Sequence, residues 1–361
     1  MLSRFFIALF VYAGHLSHPF REEIEGGYGG VSNWWLNAWT YYDSAHFLSI
    51  AREGYSASTT PFFPLYPLLL RVFGPDENAM ALGGILISNL AFLGALFLFF
   101  GLTRQIYGPV IARRGVWLLA FFPAGAFGMA VYTDSLFLLL GLAAFGAARR
   151  KAWLWAALFG FLAALTRNYG PVLTLALFFE WQRQRDAAEK PRATTILALA
   201  APLLAFGFVQ LFFAQRFGGA LAGVSSQGNY FRALTWPLLP LWRDFAGIIS
   251  GAHLNIVAIL NFSATILAFV WLWRRRAVVP RADAVLLLGV LGMHLTLART
   301  IPPYTIGSLR YLFALWPFTQ LLALGCGFFT VNRLRLVVGW VMYLLLCAVH
   351  SFLFGLKSFL G

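Results

Sequence analysis

Long uninterrupted apolar runs dominate the pattern of this chain. Runs such as 82–102 and 336–354 have about the 20 residues that a helix needs to cross a bilayer. A membrane barrel would instead alternate apolar and polar residues over strands of about 10 residues. The pattern therefore predicts an all-α polytopic membrane protein with about eleven transmembrane helices. The predicted spans are 5–19, 82–103, 115–131, 134–148, 152–166, 170–182, 194–215, 253–273, 282–298, 309–329 and 336–355.

The loops between these spans are uneven in length. The segments 21–81 and 216–252 are long, and both contain aromatic and amphipathic stretches that are typical of helices lying in the membrane interface. The middle spans are short, because breaks near Pro123, Thr133 and Arg167 interrupt them. We expect one integral membrane domain over 1–361, with 21–81 as a first extracytoplasmic loop carrying interfacial helices and 216–252 as a second long loop.

Composition excludes a water-soluble fold. The chain is 60% hydrophobic and 11% charged, with a mean hydropathy of +0.74, whereas soluble domains carry about 25% charged residues. The two cysteines, Cys326 and Cys347, lie inside apolar runs without the spacing of metal ligands, so neither a zinc site nor a disulfide framework is expected.

The net charge of +14 follows from the distribution of basic residues. If the N-terminus is cytoplasmic, the inner loops hold the Lys and Arg runs, such as Arg149–Lys151 and Arg274–Arg276, as the positive-inside rule requires. Most acids then fall outside, in the set Glu22, Glu23, Glu25, Asp43, Glu53, Asp76, Glu77, Asp134 and Asp244. The basic runs are topology signals and contacts for anionic membrane lipids, and nucleic acid is not expected as a partner. Short loops favour a prokaryotic plasma membrane.

Unusual polar residues gather at the predicted outer ends of the helices. Asp43 and His46 are three residues apart, so on a helix they share one face. A carboxylate beside an imidazole suits a general base, which takes a proton from an attacking hydroxyl. Asp43 equally suits the capping of a helix N-terminus.

Further polar residues occupy three other outer positions: Tyr132, Thr133 and Asp134, then Arg167 and Asn168, then Arg299 and Arg310. Arg167 precedes Gly170 and Pro171, which signal a turn. Its guanidinium, like that of Arg310, either clamps a phosphate or extends to lipid headgroups. Asp134 suits a helix cap.

Four segments together resemble a known family. They are YYDSAHFLSIAREGY with PFFPLYPLLLR (41–55 and 61–71), FFPAGAFGMAVYTDSLFLLL, ALTRNYG and SLRYLFALWP. The first three, from about residue 39 to 172, are similar in order and spacing to the PIG-V-like family, which includes the second mannosyltransferase of GPI-anchor assembly, and SLRYLFALWP is similar to a C-terminal Arg-aromatic-Pro segment of that family. The sequence departs from the family at Tyr42, where Trp usually precedes the acid, at Phe122, where Asn precedes the proline, and at Asp134, where Glu is typical.

The resemblance implies a GT-C-type glycosyltransferase that moves a sugar, with inversion, from a polyprenyl-phosphate donor to a lipid, glycan or protein acceptor outside the cytoplasm. It places Asp43 in the acceptor-activating position, Arg167 and Arg310 facing the donor phosphate, and Asp134 ordering the site. Together with the polar residues at the outer helix ends, this predicts Asp43 and His46 as the catalytic residues and a substrate-binding set of Tyr42, Tyr132, Asp134, Arg167, Asn168, Arg299, Arg310 and Tyr311. Because the leaving group is a monophosphate and the donor is already activated, neither a metal nor another cofactor is expected.

Two other classes of function remain open at this point. A transporter or flippase would place ionisable residues at mid-membrane in several helices and show internal symmetry. A non-catalytic membrane subunit would tolerate replacement of Asp43 and Arg167. Within the enzyme class, a transferase of another sugar, such as aminoarabinose or rhamnose, fits the same architecture.

Overall fold

A computed structural model describes residues 1–17, 31–185, 190–219, 226–252, 255–325 and 333–357. The expectations for Cys326 and for Glu22, Glu23 and Glu25 lie outside these residues. The chain divides into two compact units. The first comprises Met1–Gly54, Leu65–Leu139 and Thr319–Leu360, and the second comprises Tyr55–Pro64 and Leu140–Phe318.

Helices make up most of the described chain. In chain order they are α1 (Leu2–Leu16), α2 (Trp34–Asn37), α3 (Asp43–Glu53), α4 (Leu65–Leu70), α5 (Glu77–Tyr107), α6 (Pro109–Ala120), α7 (Asp134–Arg149), α8 (Trp153–Ala164), α9 (Leu173–Gln184), α10 (Ala193–Phe217), α11 (Leu239–Ile249), α12 (Ile256–Arg275), α13 (Arg281–Thr296), α14 (Ser308–Phe313), α15 (Trp316–Gly325) and α16 (Arg333–Gly355). Short 3₁₀ helices cover Ala57–Thr59, Arg71–Phe73, Pro123–Gly128, Gly170–Val172 and Ser226–Tyr230. Two strands, β1 (Arg232–Leu234) and β2 (Leu297–Arg299), form an antiparallel pair.

Among the described residues, four helices are long and apolar enough to cross a membrane: α5, α10, α12 and the Val337–Gly355 part of α16. The chain is thus a mostly helical membrane protein, while the count of about eleven spans stays a prediction. Two predicted spans are divided. The span 115–131 becomes α6 followed by the Pro123–Gly128 helix, and the span 309–329 becomes α14 and α15. Proline lacks an N–H and fixes its φ angle, so Pro123 starts a new helix instead of continuing one.

In the first unit, α1 packs against α16 with their backbones in contact. A Cβ atom at Gly14 would overlap the carbonyl oxygen of Phe352, and one at Gly355 would overlap the carbonyl oxygen of Val11. Glycine at these positions is what lets the two helices approach so closely.

In the second unit, α8 packs along α10, and α9 packs on both α10 and α13. Small side chains make this possible: Ala156, Ala157, Ala198 and Ala201 surround Trp153 and Leu177. Near the start of this unit, Phe63 is buried against Val209 and Phe213.

Candidate functional site

Asp43 lies at the first position of α3, immediately after a strained residue. Tyr42 precedes it with φ 57° and ψ −119°, a left-handed conformation that is rare for a residue other than glycine. Strain of this kind costs about 1–3 kcal/mol and persists only where the surrounding structure fixes it. Asp43 is partly exposed. Asp43 lies in the first turn of α3, one residue after the cap position. The negative charge of its carboxylate there interacts favourably with the positive end of the helix dipole.

The segment 131–132 holds the start of α3 in place. The buried Tyr132 hydroxyl donates to the carbonyl oxygen of Tyr41 at 3.0 Å and accepts the backbone N–H of Asp43 at 3.3 Å. The Ser44 hydroxyl donates to the carbonyl oxygen of Val131 at 3.0 Å, and the Val131 N–H donates to the carbonyl oxygen of Trp39 at 3.1 Å. These bonds fix the backbone on both sides of Tyr42, and with it the position of Asp43.

His46 lies one turn further along α3, as the spacing predicted. Its side chain is half-buried. Burial lowers the pKa of His46 below its ordinary value of 6.5, and the negative charge of Asp43 partly opposes this effect. The two side chains therefore interact electrostatically, and the structure brings this predicted pair together.

Asp134 is fully buried in the first turn of α7. It interacts electrostatically with Tyr66, whose hydroxyl lies 2.9 Å from that of Ser88. The Ser88 hydroxyl donates in turn to the carbonyl oxygen of Tyr132 at 3.1 Å. The predicted residues of the first unit, namely Tyr42, Asp43, His46, Tyr132 and Asp134, thus belong to one network that runs from α3 through 131–134 to α5.

The aromatic-proline segment 61–71 is divided by the fold. Its second half forms α4, which packs on α3 and α5, and the Arg71 guanidinium donates to the carbonyl oxygen of Ala51 at 2.7 Å. Its first half belongs to the second unit, where Phe63 is buried.

In the second unit, Arg167 lies in the turn after α8 and is 8% exposed. Its guanidinium carbon is 4.9 Å from the centre of the Tyr169 ring and 5.4 Å from that of Tyr311. These are distances at which an aromatic face attracts a cation. A Cβ at Gly170 would overlap the backbone of Ala164, so the turn packs back on α8. The neighbouring Asn168 is half-buried.

The helix α14 carries both Arg310, which is 6% exposed, and Tyr311. The Tyr311 ring stacks on His294 with centroids 4.3 Å apart, and Nε2 of His294 lies 3.0 Å from the Ser308 hydroxyl. The backbone N–H of Leu309 donates to Oδ1 of Asn261 at 3.0 Å. Arg167 and Tyr311, far apart in sequence, are thus neighbours.

Arg299 has a partner that sequence reasoning missed. It stands directly opposite Arg232 in the β1–β2 pair, and Arg232 donates to the carbonyl oxygen of Leu297 at 3.3 Å. Burial, and then the charge of Arg232, lower the pKa of Arg299. Arg232 and Arg167 both act electrostatically on His294. We call Arg167, Arg232 and Arg299 the basic cluster; Tyr311 contacts it through Arg167, and Arg310 precedes Tyr311 in α14.

Asp244 was also missed as a site residue, because as a loop acid it carried only a topology signal. Its buried carboxylate accepts the N–H of Tyr304 at 2.9 Å, the N–H of Thr305 at 2.7 Å and the Thr305 hydroxyl at 2.6 Å. These three bonds fix the loop that leads into α14. Asp244 therefore positions the helix that carries Arg310 and Tyr311.

No three His, Cys, Asp or Glu side chains meet in a metal-binding arrangement within the described part of the chain. The first unit contains an acid with a neighbouring imidazole. The second unit contains clustered guanidinium groups beside aromatic rings.

Comparisons with known proteins add an independent result. A search of curated proteins finds no match. Among solved structures, the Archaeoglobus fulgidus oligosaccharyltransferase complexed with Zn and sulfate aligns over 98% of this chain and 53% of its own, with 12% identity and a TM-score of 0.46. The same protein tethered to an acceptor peptide containing the NVT sequon aligns over 100% of this chain and 55% of its own, with 10% identity and a TM-score of 0.44. The chain spans about half the length of these structures.

The sequence also matches a family model. The model described as mannosyltransferase (PIG-V) matches residues 17–215, which is more than half of the chain. That range includes Asp43, Tyr132, Asp134 and Arg167, and it agrees with the resemblance seen in the motifs. The chain therefore belongs to the mannosyltransferase (PIG-V) family.

Proposed function

We propose that this protein is a GT-C-type membrane glycosyltransferase that moves mannose from a polyprenyl-phosphate donor to an acceptor on the extracytoplasmic side. The observation that carries the proposal is Asp43, a partly exposed acid held at the start of α3 by the Tyr132 hydroxyl. Family membership supports the class of reaction. The acceptor is a lipid, glycan or protein that presents a hydroxyl group.

Asp43 acts as the general base. Its carboxylate takes the proton of the acceptor hydroxyl as the hydroxyl oxygen attacks the anomeric carbon of the sugar. The bond from that carbon to the phosphate oxygen breaks, and its electron pair leaves with polyprenyl phosphate. A single displacement of this kind inverts the anomeric centre. His46, on the same face of α3, supports the orientation of the carboxylate.

The basic cluster stabilises the leaving phosphate. Negative charge develops on the phosphate oxygen as the sugar departs, and guanidinium groups held in place beforehand stabilise that charge. Arg167 is held beside two aromatic rings, the Arg232 guanidinium donates to the carbonyl oxygen of Leu297, and Arg299 lies opposite Arg232 in the strand pair. Charge stabilisation by arginine means that the proposed reaction requires no metal.

The proposal is tested by sugar transfer with purified protein in nanodiscs, using polyprenyl-phosphate-mannose and a panel of acceptors. Wild type is compared with Asp43→Asn, which keeps the size of the side chain and removes the base. We expect wild type to release polyprenyl phosphate and Asp43→Asn to lose about 10²–10⁴-fold in rate. Size-exclusion profiles verify that the variant is folded.

Equal release by wild type and Asp43→Asn would place the base at another residue. Donor binding without release, across the acceptor panel, would contradict the transferase proposal. In that case lipid movement in liposomes would identify a flippase. Release from polyprenyl-phosphate-linked aminoarabinose or rhamnose, but not mannose, would retain the reaction and change the sugar.

A further inference from the structure

The second unit contains an open cleft between the N-terminal end of α8 and the C-terminal end of α9, away from the Arg167 turn. Residues from three helix ends line it: Lys151, Trp153, Trp181, Gln184, Arg185, Lys190, Arg192 and Thr195. Arg167 follows the C-terminal end of α8, whereas this cleft surrounds the N-terminal end of α8. The cleft is therefore separate from the basic cluster.

Four of the lining residues are cations: Lys151, Arg185, Lys190 and Arg192. The nearby carboxylate of Glu180 is fully buried and already paired, with Arg149 at 3.5 Å and Arg183 at 2.5 Å. Asp186 and Glu189 lie in a segment outside the described residues. Even counting both, the stretch 183–192 has four basic and two acidic residues, so it carries a net positive charge.

The N-terminus of α10 adds to this positive potential. Arg192 is its N-cap, no side chain caps it, and its first turn contains no acid. A helix N-terminus carries the positive end of the helix dipole, so acids normally occupy it. Here cations lie at the N-terminus, where their charge is repelled by the positive end of the dipole. An anion bound to the first backbone N–H groups of α10 would neutralise this repulsion.

The cleft lies at the start of α10, which is long and apolar enough to cross a membrane. Arg185 lies over the ring of Trp181 at 4.7 Å, and tryptophan and arginine together are typical of the membrane interface. Directly after Thr195, Ile196 and Leu197 are 54% and 44% exposed. An anion with acyl chains would cover these side chains, whereas free phosphate would not.

We propose that this cleft binds the headgroup of an anionic phospholipid such as phosphatidylglycerol. The phosphate lies among Arg185, Lys190, Arg192 and the N-terminus of α10, and the acyl chains run along Ile196 and Leu197. Such a lipid ties the ends of α8, α9 and α10 together. This site is independent of the proposed transferase reaction.

The test is native mass spectrometry of the purified full-length protein titrated with phosphatidylglycerol and, separately, phosphatidylcholine. The triple variant Arg185→Gln, Lys190→Gln, Arg192→Gln removes three cations of the cleft. The matched control Arg274→Gln, Arg275→Gln, Arg276→Gln removes three cations at the end of α12. We expect the cleft variant to weaken phosphatidylglycerol binding by about tenfold or more, and the control to leave that binding unchanged. Phosphatidylcholine should bind all three proteins equally weakly.

Equal weakening by both triple variants would reveal general attraction to basic residues and overturn the site. Unchanged binding in the cleft variant would also overturn it. Two further results together would overturn the lipid: millimolar inorganic phosphate displaces phosphatidylglycerol, and replacing Ile196 and Leu197 by Ser leaves phosphatidylglycerol binding unchanged. They would identify a soluble phosphate as the ligand. Size-exclusion profiles and melting temperatures of the variants verify that they are folded.

Discussion

The backbone N–H of Asp43 donates to the hydroxyl of Tyr132, 89 positions further along the chain, at 3.3 Å. The same hydroxyl donates to the carbonyl oxygen of Tyr41 at 3.0 Å. One buried phenol therefore bridges the strained residue Tyr42 from both sides. The position of the proposed base depends on this phenol and not on the local sequence of α3 alone.

Tyr132→Phe should reduce sugar transfer while leaving donor binding intact. The substitution removes both bonds and frees Tyr42 from its strained conformation, so Asp43 moves away from its position. A misplacement of about 1 Å can cost about 10²-fold in rate, and the lost hydrogen bonds cost about 1–3 kcal/mol of stability. The rate of release from polyprenyl-phosphate-mannose measures the effect.

Tyr343→Phe is the matched control, because its hydroxyl donates to the carbonyl oxygen of Leu118 at 2.7 Å, within the same unit. It should lower the melting temperature by a similar amount and keep the transfer rate. A full rate in Tyr132→Phe would show that the phenol does not position Asp43.

His46 should make the stability of the protein depend on pH. Burial lowers its pKa in the folded state below 6.5, so below pH 6.5 the unfolded chain binds more protons than the folded one. Stability from this group is therefore complete above pH 6.5 and declines as the pH falls from there toward the lowered pKa. Melting temperatures in detergent at pH 7.5 and pH 5.5 measure it, and His46→Gln should show a smaller difference than wild type. An equal difference would contradict the effect.

Much of the candidate site in the first unit could be predicted from the sequence, because its signals are local. An isolated acid among apolar runs and a histidine one turn later are visible in the printed chain. The division of the predicted span 115–131 into two helices is harder to predict. Its apolar residues satisfy a hydropathy criterion throughout, but Pro123 starts a separate 3₁₀ helix. Hydropathy does not register such breaks, and most of the other expected spans correspond to helices shorter than 18 residues.

The basic cluster could be predicted only in part, because its contacts are non-local. ALTRNYG marks Arg167, yet no local pattern places Arg232 opposite Arg299. Strand pairing between short segments whose paired residues are 63 to 67 positions apart leaves no periodic signal. The contacts of Asp244 with Tyr304 and Thr305 are equally distant in sequence.

Arg232→Gln and Arg299→Gln should each lower kcat/KM for the donor by about tenfold, because a charge-assisted bond to phosphate contributes about 1.5–3 kcal/mol and strengthens as charge develops on the leaving group. Each should also leave the melting temperature unchanged or slightly higher, because like charges directly opposite in a strand pair repel. A purely structural role would lower the melting temperature instead. Transfer kinetics and melting curves for the two single variants and the double variant separate these outcomes.

Removal of divalent metal should leave transfer unchanged, since guanidinium groups supply the positive charge in the proposed reaction. Dialysis against EDTA, followed by a rate measurement with and without added Mg²⁺ or Mn²⁺, measures this. A loss of activity that either ion restores would give the leaving phosphate a metal partner and reduce the role of the basic cluster.

Gly355→Ala should destabilise the first unit, although alanine is normally the better helix former. A Cβ at this position would overlap the carbonyl oxygen of Val11, so α1 and α16 would have to separate, at a cost of about 1–3 kcal/mol. Gly339→Ala in the same helix is the control, since a Cβ added there would meet no atom of the described residues within 4 Å. It should gain up to about 1 kcal/mol from helix propensity. Opposite shifts in melting temperature are therefore expected, and shifts of the same sign would contradict the close approach of α1 and α16.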